Sequence, residues 1–233
     1  MSAPDRPDVL RIATWNLHGF VGEGRRPDPE RSFRVIERFS ADIVALQEVD
    51  GRTHLRRLPR AFEQVRETLG GHLAETRLFG PPGREYGHAL WSRHPFERVA
   101  LHPLPGPGME PRGVIEAVVA TPLGPLRVLA AHFGLDPRAR PRQGAFVASL
   151  VKGDMPTVAL GDFNEWRRSG PVHGALKAAL PVHRPMPTWP VGRPFACLDR
   201  LYASQTVTLR SIEAVRAAAP ASDHLPLVAD IAF

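Results

Sequence analysis

Four short apolar runs in this sequence each stop on a polar side chain. Val9–Asn16 ends in Asn16, Ile43–Glu48 in Glu48, Leu126–His132 in His132 and Thr157–Asp162 in Asp162, while Ser222-Asp223-His224 immediately precedes a fifth run. Runs of six to eight residues rich in Val, Ile, Ala and Leu read as buried strands. Strand ends carry ligand sites in many α/β folds, so their convergence is more informative than any single residue. In the Asp162 run, Gly161 permits a sharp turn or a close approach, and Asp162 and Asn164 stand two apart. That spacing puts both on one side if the segment is extended. Asp and Asn are also ordinary turn residues, so this pair alone decides nothing.

The other elements constrain the architecture. Asp28-Pro29 offers a cap and a first-turn proline for a helix carrying Phe33, Ile36 and Phe39. Leu58, Phe62, Val65 and Leu69 mark a second helix stopped by Gly70-Gly71. Strands are expected over 72–79, 87–92 and 98–102, and Pro122-Leu123-Gly124-Pro125 signals a hairpin between 113–121 and 126–132. A helix with Phe146/Leu150 and Val147/Val151 pairs precedes the Asp162 run, and another is expected over 171–180. Strands near 198–203, 207–215 and 226–233 close the chain. A hairpin mixed with strand–helix–strand units predicts sheets packed together with helices outside.

At 233 residues, with no repeat and no long linker, one domain is expected across 1–233, its core from about residue 9. No run reaches the roughly 18 apolar residues a membrane helix needs. The N-terminal eight residues lack the apolar segment of a signal peptide. Cys197 stands alone, which excludes an internal disulfide framework and suits a cytoplasmic, monomeric protein. The formal net charge is +6, and of 30 basic residues all but Lys152 and Lys177 are arginine. Arginine forks suit phosphate, so Arg52/Arg56/Arg57/Arg60, Arg138/Arg140/Arg142 and Arg167/Arg168 are candidate anion contacts, the last pair because it closely follows Asp162 and Asn164. The plain alternative for each group is a solvated surface.

Glu48, Asn16 and Asp223 offer oxygen ligands, which suit Mg²⁺ or Mn²⁺ better than zinc. Alternation places Glu48 on the same strand face as Val44 and Leu46. HExxH, paired cysteines, a P-loop and G-x-S-x-G are all absent from the sequence. An oxygen-bound divalent ion, a water-activating carboxylate and imidazoles together fit phosphoester hydrolysis.

Trp15-Asn16-Leu17-His18-Gly19, Gln47-Glu48-Val49, Gly161-Asp162-Phe163-Asn164, Leu198-Asp199-Arg200-Leu201-Tyr202 and Ser222-Asp223-His224-Leu225-Pro226 occur in that order. In this the chain resembles the endonuclease/exonuclease/phosphatase superfamily, with weaker resemblance at Tyr86–Arg93 and Arg112-Gly113. The resemblance implies an α/β (α+β) four-layer sandwich, two mixed β-sheets face to face with helices on the outside. It implies Glu48 as principal metal ligand, with Asn16 and Asp223 completing the site. Asp162 is then the residue that orients or deprotonates water, Asn164 a phosphate and water contact, and His224 an imidazole oriented by Asp199. His132 resembles a second histidine that aids the leaving group, and Arg112, Arg167 and Arg168 are candidate substrate contacts. Two positions depart from the family pattern: His88 replaces a frequent asparagine, and Ala131 a frequent Thr or Ser. His18 and the remaining histidines are expected to be structural or on the surface.

The expected activity is hydrolysis of a phosphodiester, small or lipid-like. A DNA or abasic-site nuclease is the alternative, disfavoured because no aromatic-plus-basic insertion for holding a strand is evident. A non-catalytic phosphate-binding module is the third reading.

Overall fold

A computed structural model of the chain describes residues 8–106 and 110–233. The N-terminal residues for which no signal peptide is expected lie, all but Asp8, outside these. Twelve strands form two six-stranded sheets among the described residues. The first has the order β11-β12-β1-β2-β4-β3, built from β1 (Leu10–Asn16), β2 (Ile43–Asp50), β3 (His72–Phe79), β4 (Tyr86–Ser92), β11 (Thr208–Ala214) and β12 (Leu227–Ala232). The second has the order β5-β6-β7-β8-β10-β9, from β5 (Phe96–Pro103), β6 (Gly113–Thr121), β7 (Gly124–His132), β8 (Thr157–Asp162), β9 (Val182–His183) and β10 (Asp199–Ala203). Each sheet has a single parallel pair at its centre, β1 with β2 and β7 with β8, and antiparallel pairs elsewhere. Both sheets are therefore mixed.

Strand alternation builds the layers. Leu10 and Ile12, Ile43 and Ala45, Val128 and Ala130, Val158 and Leu160, and Leu201 and Ala203 face inward and form one apolar core between the sheets. The opposite faces form two further cores. Ala13, Trp15, Val44 and Leu46 pack with Phe33, Ile36 and Phe39 of α1 (Pro29–Phe39) and with Phe62 and Val65 of α2 (Ala61–Leu69). Leu129, Ala131, Ala159 and Tyr202 pack with Val147 of α3 (Arg140–Ser149) and Val172 and Leu176 of α4 (Pro171–Ala179). Three cores separate four layers, helix–sheet–sheet–helix, as the resemblance implied.

Local signals explain most boundaries. Asp28 caps α1 by accepting a hydrogen bond from the Arg31 backbone N–H at 3.0 Å. The hairpin turns over Pro122-Leu123, with Thr121 paired to Gly124. Helix α2 starts at Ala61, beyond Leu58, because Pro59 and the left-handed Arg60 precede it. Helix α3 ends at Ser149, so Leu150 and Val151 fall past the turn that was expected to carry them. Among the described residues no helix is long and apolar enough to cross a membrane.

Candidate active site

The inner faces of the central strands are mostly apolar, and at one end of the sheets their last residues turn polar together. Asn16 follows Ile12 and Thr14, His132 follows Val128 and Ala130, and Asp162 follows Val158 and Leu160, each at the C-terminal end of a central strand. Register then fixes neighbours: Asp162 lies opposite His132 across the parallel pair and opposite Asp199 across β10. Gly161 allows this approach. Its φ is +150°, and a Cβ there would lie 1.9 Å from the Ala131 carbonyl oxygen.

Asp162 is 1% exposed, and its Oδ2 is a meeting point. It accepts a hydrogen bond from Asn16 Nδ2 at 3.0 Å, with His132 Nε2 at 3.7 Å and His224 Nε2 at 4.0 Å. Its Oδ1 accepts from the Asn164 backbone N–H at 2.9 Å. Burial, opposed by His224 and reinforced by Asp199, pushes the Asp162 carboxyl up to about 6. The ring of His224 donates from Nδ1 to Asp199 Oδ2 at 2.8 Å. Burial alone lowers an imidazole, but Asp199, Asp162 and Asp223 outweigh it and raise His224 to about 10. Asp199 is fully buried, anchored by its N–H to Thr188 Oγ1 at 3.3 Å. His224 is anchored by its own N–H to Ser222 Oγ at 3.2 Å, and Ser222 Oγ donates to the Asn16 carbonyl at 2.7 Å.

Glu48 reaches the same cavity by a different route. It has φ +52°, uncommon for a residue with a Cβ, and the β2–β4 register shifts between Leu46 and Val49. This bulge corrects the expectation that Glu48 shares a face with Val44 and Leu46. Those two side chains face the helix layer, whereas Glu48 is turned to accept a hydrogen bond from Asn16 Nδ2 at 3.0 Å. Asn164 also departs from extended spacing. Strand β8 stops at Asp162, and Asn164 takes φ +49° in an Asx turn closed by Asp162. Its Nδ2 donates to the Phe133 carbonyl at 2.9 Å, leaving Oδ1 for the cavity.

The cavity, of about 330 Å³, is lined by Glu48, Asp162, Asn164, His132, Asp223 and His224, and by Arg112. Arg112 donates from Nε to the Phe133 carbonyl at 3.3 Å. Burial, with Arg112 the next cause, holds His132 well below the usual imidazole range. Arg167 and Arg168, expected as substrate contacts, are not brought here. Arg167 bonds Glu165 through its backbone N–H, Nε and NH2, each at 3.0 Å, and Arg168 borders a separate cavity with His173 and Lys177. Proximity in sequence failed because the chain turns away from the cavity after Trp166 to begin α4. His18, taken as structural or surface, lies on the rim, its Nδ1 3.4 Å from Asp223 Oδ1 and 3.8 Å from Glu48 Oε2. Arg52, Tyr86, Glu110, Trp166 and Trp189 also line the cavity. Only their loop and strand-end positions could have signalled this.

Two groups of donors could hold a cation. Asp162, Asp199 and His224 present ligand atoms within 4.8 Å of one another, all buried. There the imidazole, bonded to Asp199 and raised in pKa, already carries positive charge. Glu48 and Asp223 instead face one point from two sides, with side chains 25% and 44% exposed. These two carboxylates are hard-oxygen donors that fit Mg²⁺ or Mn²⁺, whereas Asn16 turns its Nδ2 to Glu48 and Asp162 and its amide oxygen to the His18 backbone N–H at 2.9 Å.

A family model for the endonuclease/exonuclease/phosphatase family matches residues 13–224, a stretch containing Asn16, Glu48, His132, Asp162, Asp199, Asp223 and His224. The chain belongs to the endonuclease/exonuclease/phosphatase family. It is 31% identical over 245 residues to the uncharacterized protein YbhP of Escherichia coli strain K12, covering 95% of this chain and 96% of that one. The fold is shared with an endonuclease/exonuclease/phosphatase from Beutenbergia cavernae, with TM-score 0.78, 24% identity, and coverage of 97% of this chain and 72% of the other. It is also shared with the catalytic domain of human Nocturnin, solved with a bound sulfate anion, at TM-score 0.71 and 20% identity, covering 98% and 96%. The endonuclease/exonuclease/phosphatase family is one of phosphoester hydrolases, generally dependent on divalent metal ions.

Proposed function

We propose that this family member is a phosphodiesterase that cleaves a small or lipid-like diester by attack of an activated water, within one catalytic domain. The observation that carries the reading is the convergence on Asp162 Oδ2, which brings a carboxylate, two imidazoles and an amide to one point beside an open cavity. A carboxyl raised to about 6 is ionised at neutral pH yet basic enough to take a proton from water. Asn164 Oδ1 orients that water, and Asn16 holds the carboxylate in place by its hydrogen bond. His224, protonated at neutral pH, presents Nε2–H to a phosphoryl oxygen while Asp199 fixes its ring. His132 is neutral, which fits a hydrogen bond to the phosphate and not delivery of a proton to the leaving group. Arg112 adds positive charge at the cavity wall. Glu48, with Asp223, would hold Mg²⁺ or Mn²⁺, which offsets phosphate charge when bound.

Substrate size follows from the rim. Trp166 is 49% exposed, Phe195 61% and Leu135 70%. The rings of Trp166 and Trp189 meet edge to face with centroids 4.9 Å apart, giving the cavity an apolar lip that suits a hydrophobic ester arm. A duplex requires a row of free cations along its backbone. Here Arg52 is bonded to Asp50, Arg57 lies 3.4 Å from Asp50, Arg60 bonds Glu67, and Arg140 donates to the Leu135 carbonyl. The test is a panel of aryl phosphodiesters, aryl monoesters and abasic duplex, with and without Mg²⁺ or Mn²⁺. Metal-dependent diester cleavage without monoester turnover or nicking is expected. Monoester turnover alone, or efficient nicking, overturns the reading.

A further inference from the structure

We infer that Arg52 and Arg112 form a second anion subsite in the cavity, so that preferred substrates are phosphodiesters carrying an additional anionic group on one arm. The inference rests on the phosphodiesterase reading and narrows its substrate class. Both guanidiniums pack over one ring, with Arg52 Cζ 4.3 Å and Arg112 Cζ 5.4 Å from the Tyr86 centroid. Tyr86 in turn lies 6.5 Å from the His132 ring, so one aromatic side chain sets Arg52 off from the Asp162 cluster, while Arg112 shares the Phe133 carbonyl with Asn164 and joins the two. Asp50 accepts from Arg52 Nε and NH2 at 2.9 and 3.0 Å, which leaves NH1 to face the Glu110 carboxylate at 3.6 Å. On Arg112, NH1 is buried with no hydrogen-bond partner among the described residues.

Glu110 sits between the two arginines. Its Oε2 is 2.6 Å from Arg112 NH2 and its Oε1 3.6 Å from Arg52 NH1. The arginine side chains are 4% and 17% exposed, whereas Glu110 is 33% exposed and is the member nearest solvent. A carboxylate held across two forks at the mouth of a cavity occupies the place that a ligand carboxylate or phosphate would take. The charges agree. Among the described residues the ion pairs of Arg52, Arg57 and Arg112 are with Asp50 and Glu110, so the paired group keeps one positive charge in excess even with Glu110 in place. With Glu110 swung aside, the excess is two, and an anionic arm restores the pairing. The reacting phosphate of a diester carries one negative charge and, on the phosphodiesterase reading, is met by His224 and His132 at Asp162, away from the Glu110 position between the two arginines. The second anion is therefore a separate group of the same substrate.

The test compares a bis-aryl phosphate with two matched diesters whose non-leaving ring bears a carboxylate or a phosphate, at constant ionic strength. The charged diesters are expected to show kcat/KM about tenfold or more above the uncharged one, the worth of one charged hydrogen bond. The carboxylate and phosphate arms identify which anion is preferred. Arg52→Met should bring the ratio close to unity, and Glu110→Gln, which removes the competing charge at constant size, should raise it. Equal efficiency on charged and uncharged diesters, or a ratio that Arg52→Met leaves intact, overturns the inference while the phosphodiesterase reading stands. Should Arg52→Met fail to fold, Glu110→Gln decides, because an unchanged or smaller ratio contradicts a displaceable carboxylate. If no diester is turned over, calorimetric binding of the same compounds separates the two ideas. About tenfold tighter binding of a charged diester would keep the subsite and sink the reaction, and equal binding would sink the subsite.

Discussion

The two sheets supply the cavity in opposite ways. The second sheet contributes Asp162, Asp199 and His132, all no more than 1% exposed and all placed by uninterrupted strand register. The first contributes Glu48 through a bulge, beside Asp223 and His18 on half-open loops. Burial raises Asp162 to about 6, while His224, at the seam between the sheets, is raised to about 10 against its own burial by Asp199, Asp162 and Asp223. On the other side the carboxylates stay in contact with solvent, where a hydrated cation can reach them at small desolvation cost. On the proposed reading, this places proton transfer on the buried side and charge neutralisation on the open one.

That division can be broken by experiment. The largest effect is expected from Asp162→Asn, which removes the base at constant shape and should lower kcat about 10³-fold. The metal concentration giving half-maximal rate should barely move. If it moves as far as in a Glu48 variant, the buried and open sides are not separate. Glu48→Gln should act the other way, raising the half-saturating Mg²⁺ or Mn²⁺ concentration by about tenfold or more, with a smaller loss at saturating metal. Wild-type turnover at limiting metal would remove Glu48 from the ligand set. His18→Ala should have the smallest effect, below about 1 kcal/mol, because the pair it makes is exposed. Its sign sharpens the comparison. Metal titration should show slightly tighter binding if the ring competes with the cation for Glu48 and Asp223, and weaker binding would make the imidazole a ligand.

The same contrast explains what could be read from the sequence. Asn16, His132 and Asp162 end straight strands, so alternation carried them to the inner face with Ile12, Ala130 and Leu160, whereas Asp199, at the start of β10, was legible only through its motif. Glu48 was legible as a residue and not as a direction, because a bulge adds a residue and flips the alternation. Arg167 and Arg168 misled. Three residues of separation from Asn164 meant little once Glu165 captured Arg167 and the chain entered α4. Arg52 was legible as an anion contact but not its place, and Glu110, Tyr86 and His18 were not seen as cavity residues, because these side chains meet only through long-range packing, as when Arg52 and Arg112 both settle on Tyr86. The layered fold was within reach of hydrophobic patterning, but pairing β1 with β12 across the whole chain was not. The motif order supplied that topology.

The pH dependence of diester hydrolysis in the wild-type protein and in Asp199→Asn tests the buried pair most directly. If, as proposed, activity needs Asp162 ionised and His224 protonated, the rate should climb through about 6 and fall through about 10. Removing the Asp199 charge takes away the principal support of the imidazolium while burial, which lowers it, remains. The alkaline limb of Asp199→Asn should therefore move to lower pH, with kcat reduced and the acid limb moving down slightly, because Asp199 also raises Asp162. An alkaline limb that stays in place in Asp199→Asn would contradict the assignment of Asp199 and His224 as one acid-base unit.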